Sequence, residues 1–194
     1  MNFLFNKYSH FNLANIVTFF NISCGIIAIY FLTHNEFIGA ALFAWLAGAF
    51  DIFDGKIARK YNLSTEFGIQ LDSYADFLSF VIVPAMFIYF AIFDGKEEQF
   101  NMALLAGVFI YYIICGLRRL IQFNINSEEG EVERYFIGIP TPLGAILLWI
   151  VYLIFLTGFI NEYIVLFLMV VIGYLLNSKI KIKHLWKKRL LLLI

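Results

Sequence analysis

The chain has 194 residues, of which 62% are hydrophobic and 14% charged, and its formal net charge is zero. A soluble domain of this size carries about 25% charged residues and cannot enclose so large an apolar excess in its interior. The composition therefore indicates a polytopic membrane protein. The lack of a basic patch outside the apolar runs argues against a nucleic-acid-binding protein.

The apolar runs are close to the length that a helix needs to cross a bilayer. They predict an all-α fold, a bundle of six transmembrane helices that forms a single domain over residues 1–194. In chain order, the predicted helices are 14–33, 37–57, 70–93, 101–121, 141–159 and 162–178. Turn-forming or charged residues fill the breaks between them, and a longer polar segment, 124–139, separates the fourth helix from the fifth.

The basic residues predict the orientation of this bundle. With six helices, all but one of the fourteen lysines and arginines fall on one side of the membrane, and Lys96 is the exception. The positive-inside rule then predicts that both termini and the segments 58–69 and 124–139 are cytoplasmic. The basic tail, 179–194, is expected to lie along the anionic inner leaflet. The acidic stretch 128–133 is expected to be either a solvated loop or a cover over the site.

Four of the five aspartates in the chain lie in one stretch, residues 51–76, between two long apolar runs. Asp51 and Asp54 end the second predicted helix, and Asp72 and Asp76 begin the third. Spacings of three and four residues place each pair on one face of its helix. Because the two helices are antiparallel and joined by a short turn, we expect all four carboxylates to meet at one depth near the cytoplasmic surface.

Four ionised carboxylates in a low dielectric repel one another and lose hydration. Either protonation or bound cations can relieve the repulsion. Oxygen ligands favour hard divalent ions such as Mg²⁺, Mn²⁺ or Ca²⁺, and four acids suit a metal pair that clamps both oxygens of a phosphoryl displacement. Gly55 would let a phosphate approach the backbone closely, and Arg59 carries the fork that binds phosphate oxygens.

Two other interpretations compete with a metal site. A purely structural role would need basic partners, and the nearby ones, Lys56, Arg59 and Lys60, are fewer than the acids. The second alternative is a cation or proton transporter, because acids inside a membrane often mark ion routes. Against it, the acids gather at one depth, and the outer half of the chain carries almost no charge that would continue a path.

The same stretch resembles the signature of the CDP-alcohol phosphotransferase family, D-x2-D-G-x2-A-R-x8-G-x3-D-x3-D. Every fixed position of the signature is met, by Asp51, Asp54, Gly55, Ala58, Arg59, Gly68, Asp72 and Asp76. The family has a six-helix fold, which agrees with the number of predicted helices. The resemblance implies an integral membrane enzyme, a homodimer in many members, that transfers a substituted phosphate from a CDP-linked lipid to an alcohol and releases CMP.

The resemblance also implies roles for individual residues. The four aspartates would hold two divalent cations, Mg²⁺ or Mn²⁺, that engage the diphosphate, and Asp76 would be the general base for the alcohol. Contacts with the nucleotide or its phosphates are implied for Gly55, Ala58, Arg59, Thr65, Gly68, Asn15 and Thr18.

Further stretches resemble the branch of the family that joins L-serine to CDP-diacylglycerol or an archaeal ether equivalent. They are residues 15–25, 64–85, 115–124 and 136–142. The chain departs from the pattern of this branch at Ala14 and Gln122.

Residues at the inner end of the fourth predicted helix are expected to bind the acceptor. A guanidinium recognises the carboxylate of free serine well, so Arg119, Arg118 and Asn124 are the expected acceptor-binding residues. Arginine also binds phosphate, which leaves glycerol 3-phosphate or inositol phosphate as alternative acceptors. The simpler alternative is that both arginines are positive-inside anchors at a helix end.

Overall fold

The computed structural model describes residues 3–128, 135–178 and 181–183. Six long helices make up most of this part of the chain. They are α1 (Leu13–Thr33), α2 (Phe37–Lys60), α3 (Glu66–Phe93), α4 (Met102–Glu128), α5 (Thr141–Leu156) and α6 (Glu162–Leu176). Short 3-10 turns occur at Phe3–Phe5 and Glu97–Gln99, and strands β1 (Tyr135–Ile137) and β2 (Lys181–Lys183) pair as an antiparallel ribbon.

The helices follow the predicted order, and the all-α prediction is confirmed for the bundle. Helix α3 starts four residues earlier than predicted, at Glu66, because Thr65 caps its N-terminus. Helix α4 runs to Glu128, which corrects the prediction of a loop from residue 124. No glycine or proline interrupts residues 117–129, so the helical hydrogen bonding continues past the apolar run.

Four helices, α1 to α4, are long and apolar enough to cross a membrane. Helices α5 and α6 have 16 and 15 residues. At 1.5 Å per residue their lengths are about 24 and 22 Å, which is less than the roughly 30 Å thickness of the hydrocarbon core of a bilayer. The structure therefore supports an integral membrane protein, while the predicted count of six spans is not confirmed. The acidic stretch after Glu128 and most of the basic tail, with the exception of β2, lie outside the described residues.

Helix α3 is the central element of the bundle. It is continuous from Glu66 to Phe93 but widens into π-helical turns at Phe77–Ile82 and Tyr89–Phe93. The two-thirds of the helix that end at Phe93 pack into the largest apolar core, whose biggest fully buried side chains include Tyr112 of α4 and Met169 of α6. Because that core fixes α3, the other end of the helix, which begins at Glu66 and carries two of the aspartates, has a defined position; we call it, and the ends of α1 and α2 beside it, the inner end.

Helices α1 and α2 form an antiparallel hairpin against this core. Helix α1 ends in a Schellman motif, in which Asn35 takes a positive φ of 59° and the amide of Glu36 donates to the carbonyl of Phe31 at 2.9 Å. Small buried residues, Ala28 of α1 and Ala44 of α2, lie at the contact with α3. The hairpin therefore brings the inner ends of α1, α2 and α3 together.

Candidate active site

The turn between α2 and α3 repeats the Schellman motif. Asn62 takes a positive φ of 54°, and the amide of Leu63 donates to the carbonyl of Ala58 at 2.9 Å. Leu63 is buried, and its carbonyl accepts a hydrogen bond from Asn12 Nδ2 at 3.5 Å. The turn is thus tied to the N-terminus of α1, and it places the inner ends of α2 and α3 side by side.

Three of the predicted aspartates form a tight cluster. One carboxylate oxygen from each of Asp51, Asp72 and Asp76 lies within 4.8 Å of an oxygen from each of the other two. The fourth, Asp54, is only 4% exposed and lies with Asp72 in the wall of a neighbouring cavity. Asp72 therefore belongs to both the cluster and the cavity, and the two helices bring all four acids to one region.

The acidic cluster fits divalent cations. Among the described residues, Asp54 Oδ2 and Asp76 Oδ1 are buried and lack a hydrogen-bond partner. An unpaired carboxylate oxygen is costly to bury, and the Arg59 guanidinium beside Asp54 and Asp72 offsets one of the four negative charges. Hard divalent ions take carboxylate oxygens as ligands, so the donor set and the unpaired oxygens suit a metal site in which these four side chains are the ligands.

A cavity of about 210 Å³ opens beside the cluster. All seven residues that the resemblance implies for nucleotide contacts line it, together with Asp54 and Asp72. They are Asn15, Thr18, Gly55, Ala58, Arg59, Thr65 and Gly68. The structure thus brings together residues from α1, α2, α3 and the intervening turn that are up to 53 positions apart in the chain, from Asn15 to Gly68.

Two glycines keep this cavity open. A Cβ on Gly55 would lie 3.4 Å from Nη1 of Arg59, so the guanidinium folds over the glycine. A Cβ on Gly68 would lie 2.9 Å from Asn15 Oδ1 and 3.3 Å from Thr65 Oγ1. Thr65 Oγ1 already accepts from the amide of Gly68 at 3.0 Å, as the N-cap of α3. Gly68 therefore lies at a close contact between α3 and α1.

Replacing Gly68 by alanine is expected to destabilise the protein. The added methyl group would push α1 away from α3, and overpacking of this kind costs about 1–3 kcal/mol. The matched control is Gly107→Ala, because Gly107 is an exposed glycine of α4 with no atom within 4 Å of the position of a Cβ. Thermal unfolding in detergent should show a lower midpoint for Gly68→Ala alone, and equal shifts for both variants would contradict the close contact.

The three predicted acceptor residues lie outside the lining of this cavity. Arg118 is exposed, whereas Arg119 is 7% exposed and its Nε donates to the carbonyl of Ile139 at 3.1 Å. Asn124 Nδ2 donates to Ser73 Oγ at 2.9 Å, and Ser73 follows Asp72 directly on α3. Asn124 therefore contacts the residue that follows Asp72 on α3, while Arg119 is bonded to the segment that leads into α5.

The sequence analysis assigned no role to several residues of this region. Ser64 and Ile69 line the cavity, and Ser73 links α3 to α4 through Asn124. Asn21 and Ser79 form a buried hydrogen bond one turn deeper in the bundle. Polar residues at helical spacing inside apolar runs were a signal that would have pointed to Asn21 and Ser79.

Comparison with known proteins identifies a family and several similar relatives. The model of the family "CDP-alcohol phosphatidyltransferase" matches residues 11–175. A Bacillus subtilis protein named CDP-diacylglycerol–serine O-phosphatidyltransferase is 33% identical over 175 residues, 87% of this chain and 88% of the relative. A Methanocaldococcus jannaschii protein of the same name is 34% identical over 173 residues, 87% of this chain and 72% of the relative.

A second archaeal relative, with a different name, is also similar. It is the archaetidylserine synthase of Methanothermobacter thermautotrophicus, 32% identical over 171 residues, which cover 87% of this chain and 68% of the relative. The match of the family model spans every residue of the acidic cluster and of the cavity wall.

Proposed function

Because the chain belongs to the CDP-alcohol phosphatidyltransferase family, we propose that it transfers a phosphatidyl group from CDP-diacylglycerol, or from an archaeal ether equivalent, to the hydroxyl of L-serine. The products are phosphatidylserine, or its ether analogue, and CMP. The relatives described above, all serine transferases by name, support this activity. The observation that carries the proposal is the cavity that shares Asp72 with the cluster of carboxylates.

Asp51, Asp54, Asp72 and Asp76 are the proposed ligands of two divalent cations, Mg²⁺ or Mn²⁺. Such ions, when bound, neutralise the charge of the diphosphate and stabilise the departing CMP. The protein holds the four carboxylates on two rigid helices, so little reorganisation is needed when the charges meet. This arrangement also accounts for the unpaired oxygens of Asp54 and Asp76.

The cavity is the proposed site of the cytidine diphosphate. Gly55 and Gly68 line the cavity without a side chain that would narrow it. Arg59, folded over Gly55, supplies a charged donor for the phosphate oxygens. Thr65, Asn15, Thr18 and Ala58 form the remaining wall and orient the nucleotide.

Asp76 is the proposed catalytic base. The serine oxygen attacks the lipid-side phosphorus, its proton passes to a carboxylate oxygen of Asp76, and the bond from that phosphorus to the bridging oxygen breaks as CMP leaves. General base catalysis of this kind contributes about 10²- to 10⁴-fold to a rate. The diacyl chains stay in the bilayer, while cytidine and serine arrive from the aqueous side.

The acceptor is proposed to enter between α3 and α4. Asn124 is bonded to Ser73, the residue that follows Asp72 on α3, and is proposed to contact the acceptor there. Arg119 is proposed to bind the serine carboxylate, with its side chain fixed by the carbonyl of Ile139. Arg118, which is exposed, is proposed to attract the anionic acceptor to the site.

Replacing Arg119 by alanine is expected to raise the KM for serine by about 10- to 100-fold, because a charge-assisted hydrogen bond is worth about 1.5–3 kcal/mol. The KM for CDP-diacylglycerol should change little. Arg118→Ala is the matched control, because Arg118 is the neighbouring arginine and is exposed. This variant is expected to raise the KM for serine less than Arg119→Ala does. Steady-state kinetics in detergent micelles provides both constants, and an equal rise in both KM values for Arg119→Ala would remove its role in acceptor binding.

The termini and the site are proposed to face the cytoplasm, and α5 and α6 are proposed to complete six spans. The positive-inside rule supports this orientation, and short helices are accommodated by local thinning of the bilayer. Labelling in intact cells tests this orientation, with a single cysteine placed at Lys7 in one variant and at Lys96 in another. Only the cysteine at position 96 should react with a reagent that does not cross the membrane. A homodimer remains a prediction from the family resemblance, and a single domain over residues 1–194 remains a prediction from the apolar runs.

Release of CMP from CDP-diacylglycerol tests the proposed function directly. The purified protein should release CMP with L-serine and far more slowly with glycerol 3-phosphate or inositol phosphate. If the protein releases CMP faster with another acceptor than with serine, it carries out the family reaction, but serine is not its acceptor. Absence of release with every acceptor, together with cation or proton flux in proteoliposomes, would instead support the transporter alternative.

A further inference from the structure

Three hydrogen bonds join α4, the segment before α5 and the end of α6 into one closed ring. Arg119 Nε of α4 donates to the carbonyl of Ile139 at 3.1 Å. The amide of Ile139 donates to the carbonyl of Leu175 at 3.2 Å. The side chain of Asn177 closes the ring, because its Nδ2 donates to the carbonyl of Cys115 on α4 at 3.1 Å. The end of α6 is therefore joined to the arginine by two routes, one through Ile139 and one through α4 itself.

The bond from Asn177 meets α4 one helical turn before Arg119. Helix α4 is continuous over Met102–Glu128, and in an α-helix the amide of residue 119 donates to the carbonyl of residue 115. A carbonyl oxygen has two lone pairs, so the buried carbonyl of Cys115 can also accept from the side chain of Asn177. Asn177 thus holds the turn of α4 that ends at Arg119.

The segment before α5 lies directly against the end of α6. Gly138 takes a positive φ of 80°, and a Cβ there would lie 2.5 Å from the carbonyl oxygen of Leu176 and 3.1 Å from that of Ser178. Strands β1 and β2 continue this contact as an antiparallel ribbon. The carbonyl of Ile139, which follows Gly138, is therefore presented to Arg119 by backbone that has little room to move.

We propose that Asn177 is a positioning residue for the acceptor, because it holds the turn of α4 that carries Arg119. The inference rests on the proposed function, in which Arg119 binds the carboxylate of serine. The strength of a bond between a guanidinium and a carboxylate depends on how the two planar groups are oriented, so a loosened turn would weaken acceptor binding. Asn177 fixes the backbone of the arginine, and the carbonyl of Ile139 fixes its side chain.

Replacing Asn177 by alanine is expected to raise the KM for serine by about 3- to 10-fold, the effect of losing one neutral hydrogen bond. The KM for CDP-diacylglycerol and kcat should change little. Asn177→Asp keeps the shape of the side chain but has no N–H donor, and it should raise the KM for serine at least as much. Steady-state kinetics in detergent micelles provides all three constants.

A double-mutant cycle separates positioning of the arginine from a general effect on the fold. If Asn177 acts through Arg119, Asn177→Ala should raise the KM for serine no further in a chain that already carries Arg119→Ala. A rise of the same size in both backgrounds would show that Asn177 acts independently of Arg119, and it would overturn the proposal.

Asn161→Ala is the matched control. Asn161 caps the opposite end of α6, where its Oδ1 accepts from the amide of Ile164 at 3.0 Å. Loss of this cap destabilises the same helix, but the KM for serine should stay that of the unmodified protein. Equal rises in Asn161→Ala and Asn177→Ala would reflect a loosened α6 and would overturn the proposal.

An unchanged KM for serine in both Asn177 variants, with the expected rise in Arg119→Ala, would overturn the inference and leave the proposed function intact. If Arg119→Ala itself leaves this KM unchanged, the proposed acceptor role of Arg119 fails, and the role of Asn177 fails with it. Absence of CMP release by the unmodified protein would contradict the proposed function, so the failures are distinguishable. If Asn177→Ala does not fold, Asn177→Asp decides the question by the same constants.

Discussion

Replacing Asp76 by asparagine is expected to lower transfer to serine by at least about a thousandfold. The change removes the proposed base, whose contribution alone is about 10²- to 10⁴-fold, and it also removes one charged oxygen ligand. The fold should persist, because asparagine has almost the same shape and the variant has one fewer carboxylate in a cluster of like charges. The rate of CMP release with L-serine measures the effect.

Asp94→Asn is the control for this experiment. Asp94 is the fifth aspartate of the chain and is exposed in the loop after α3, at the far end of that helix from the cluster. It should retain full activity, and both variants should unfold at or above the temperature of the unmodified protein. Near-normal turnover in Asp76→Asn would remove Asp76 as the base.

Removing divalent cations with a chelator is expected to abolish transfer. Without them, the four carboxylates and the diphosphate would meet as like charges, and metal ions typically supply several kcal/mol of stabilisation to such a reaction. Activity should return when Mg²⁺ or Mn²⁺ is added in excess of the chelator. The measurement is CMP release before treatment, after it and after restoration.

A parallel sample treated with the chelator already saturated by Mg²⁺ controls for direct effects of the chelator on the micelle. Transfer that persists in the chelated, metal-free sample would rule out a metal-dependent mechanism. It would also leave the unpaired oxygens of Asp54 and Asp76 without an explanation.

The sequence was sufficient to predict the acidic cluster, because the relevant geometry is local. Helical periodicity places Asp51 near Asp54 and Asp72 near Asp76, and a turn as short as 61–65 forces their helices to be antiparallel. The cavity residues on α1 are a different case. Asn15 meets Gly68 only through the packing of α1 on α3, and the sequence alone gave no distance between them, so the family resemblance had to supply this connection.

Contacts that depend on the irregular parts of the chain were not predictable. The carbonyl of Ile139 reaches Arg119 because Gly138 takes a positive φ of 80° against the end of α6, where a Cβ would lie 2.5 Å from the carbonyl oxygen of Leu176. Nothing in the local sequence pairs residue 119 with residue 139. The extension of α4 to Glu128 was missed for another reason, since the apolar run that marks a span ends before the helix does.

The number of Mn²⁺ ions bound per chain tests the central claim most directly. Purified protein in detergent, with CDP-diacylglycerol present and serine omitted, should bind two Mn²⁺ per chain, and replacing Asp51 and Asp72 together by asparagine should remove tight binding. Fewer than two ions in the unmodified protein, or the same number in the double variant, would contradict a site in which carboxylates from α2 and α3 jointly hold a pair of cations.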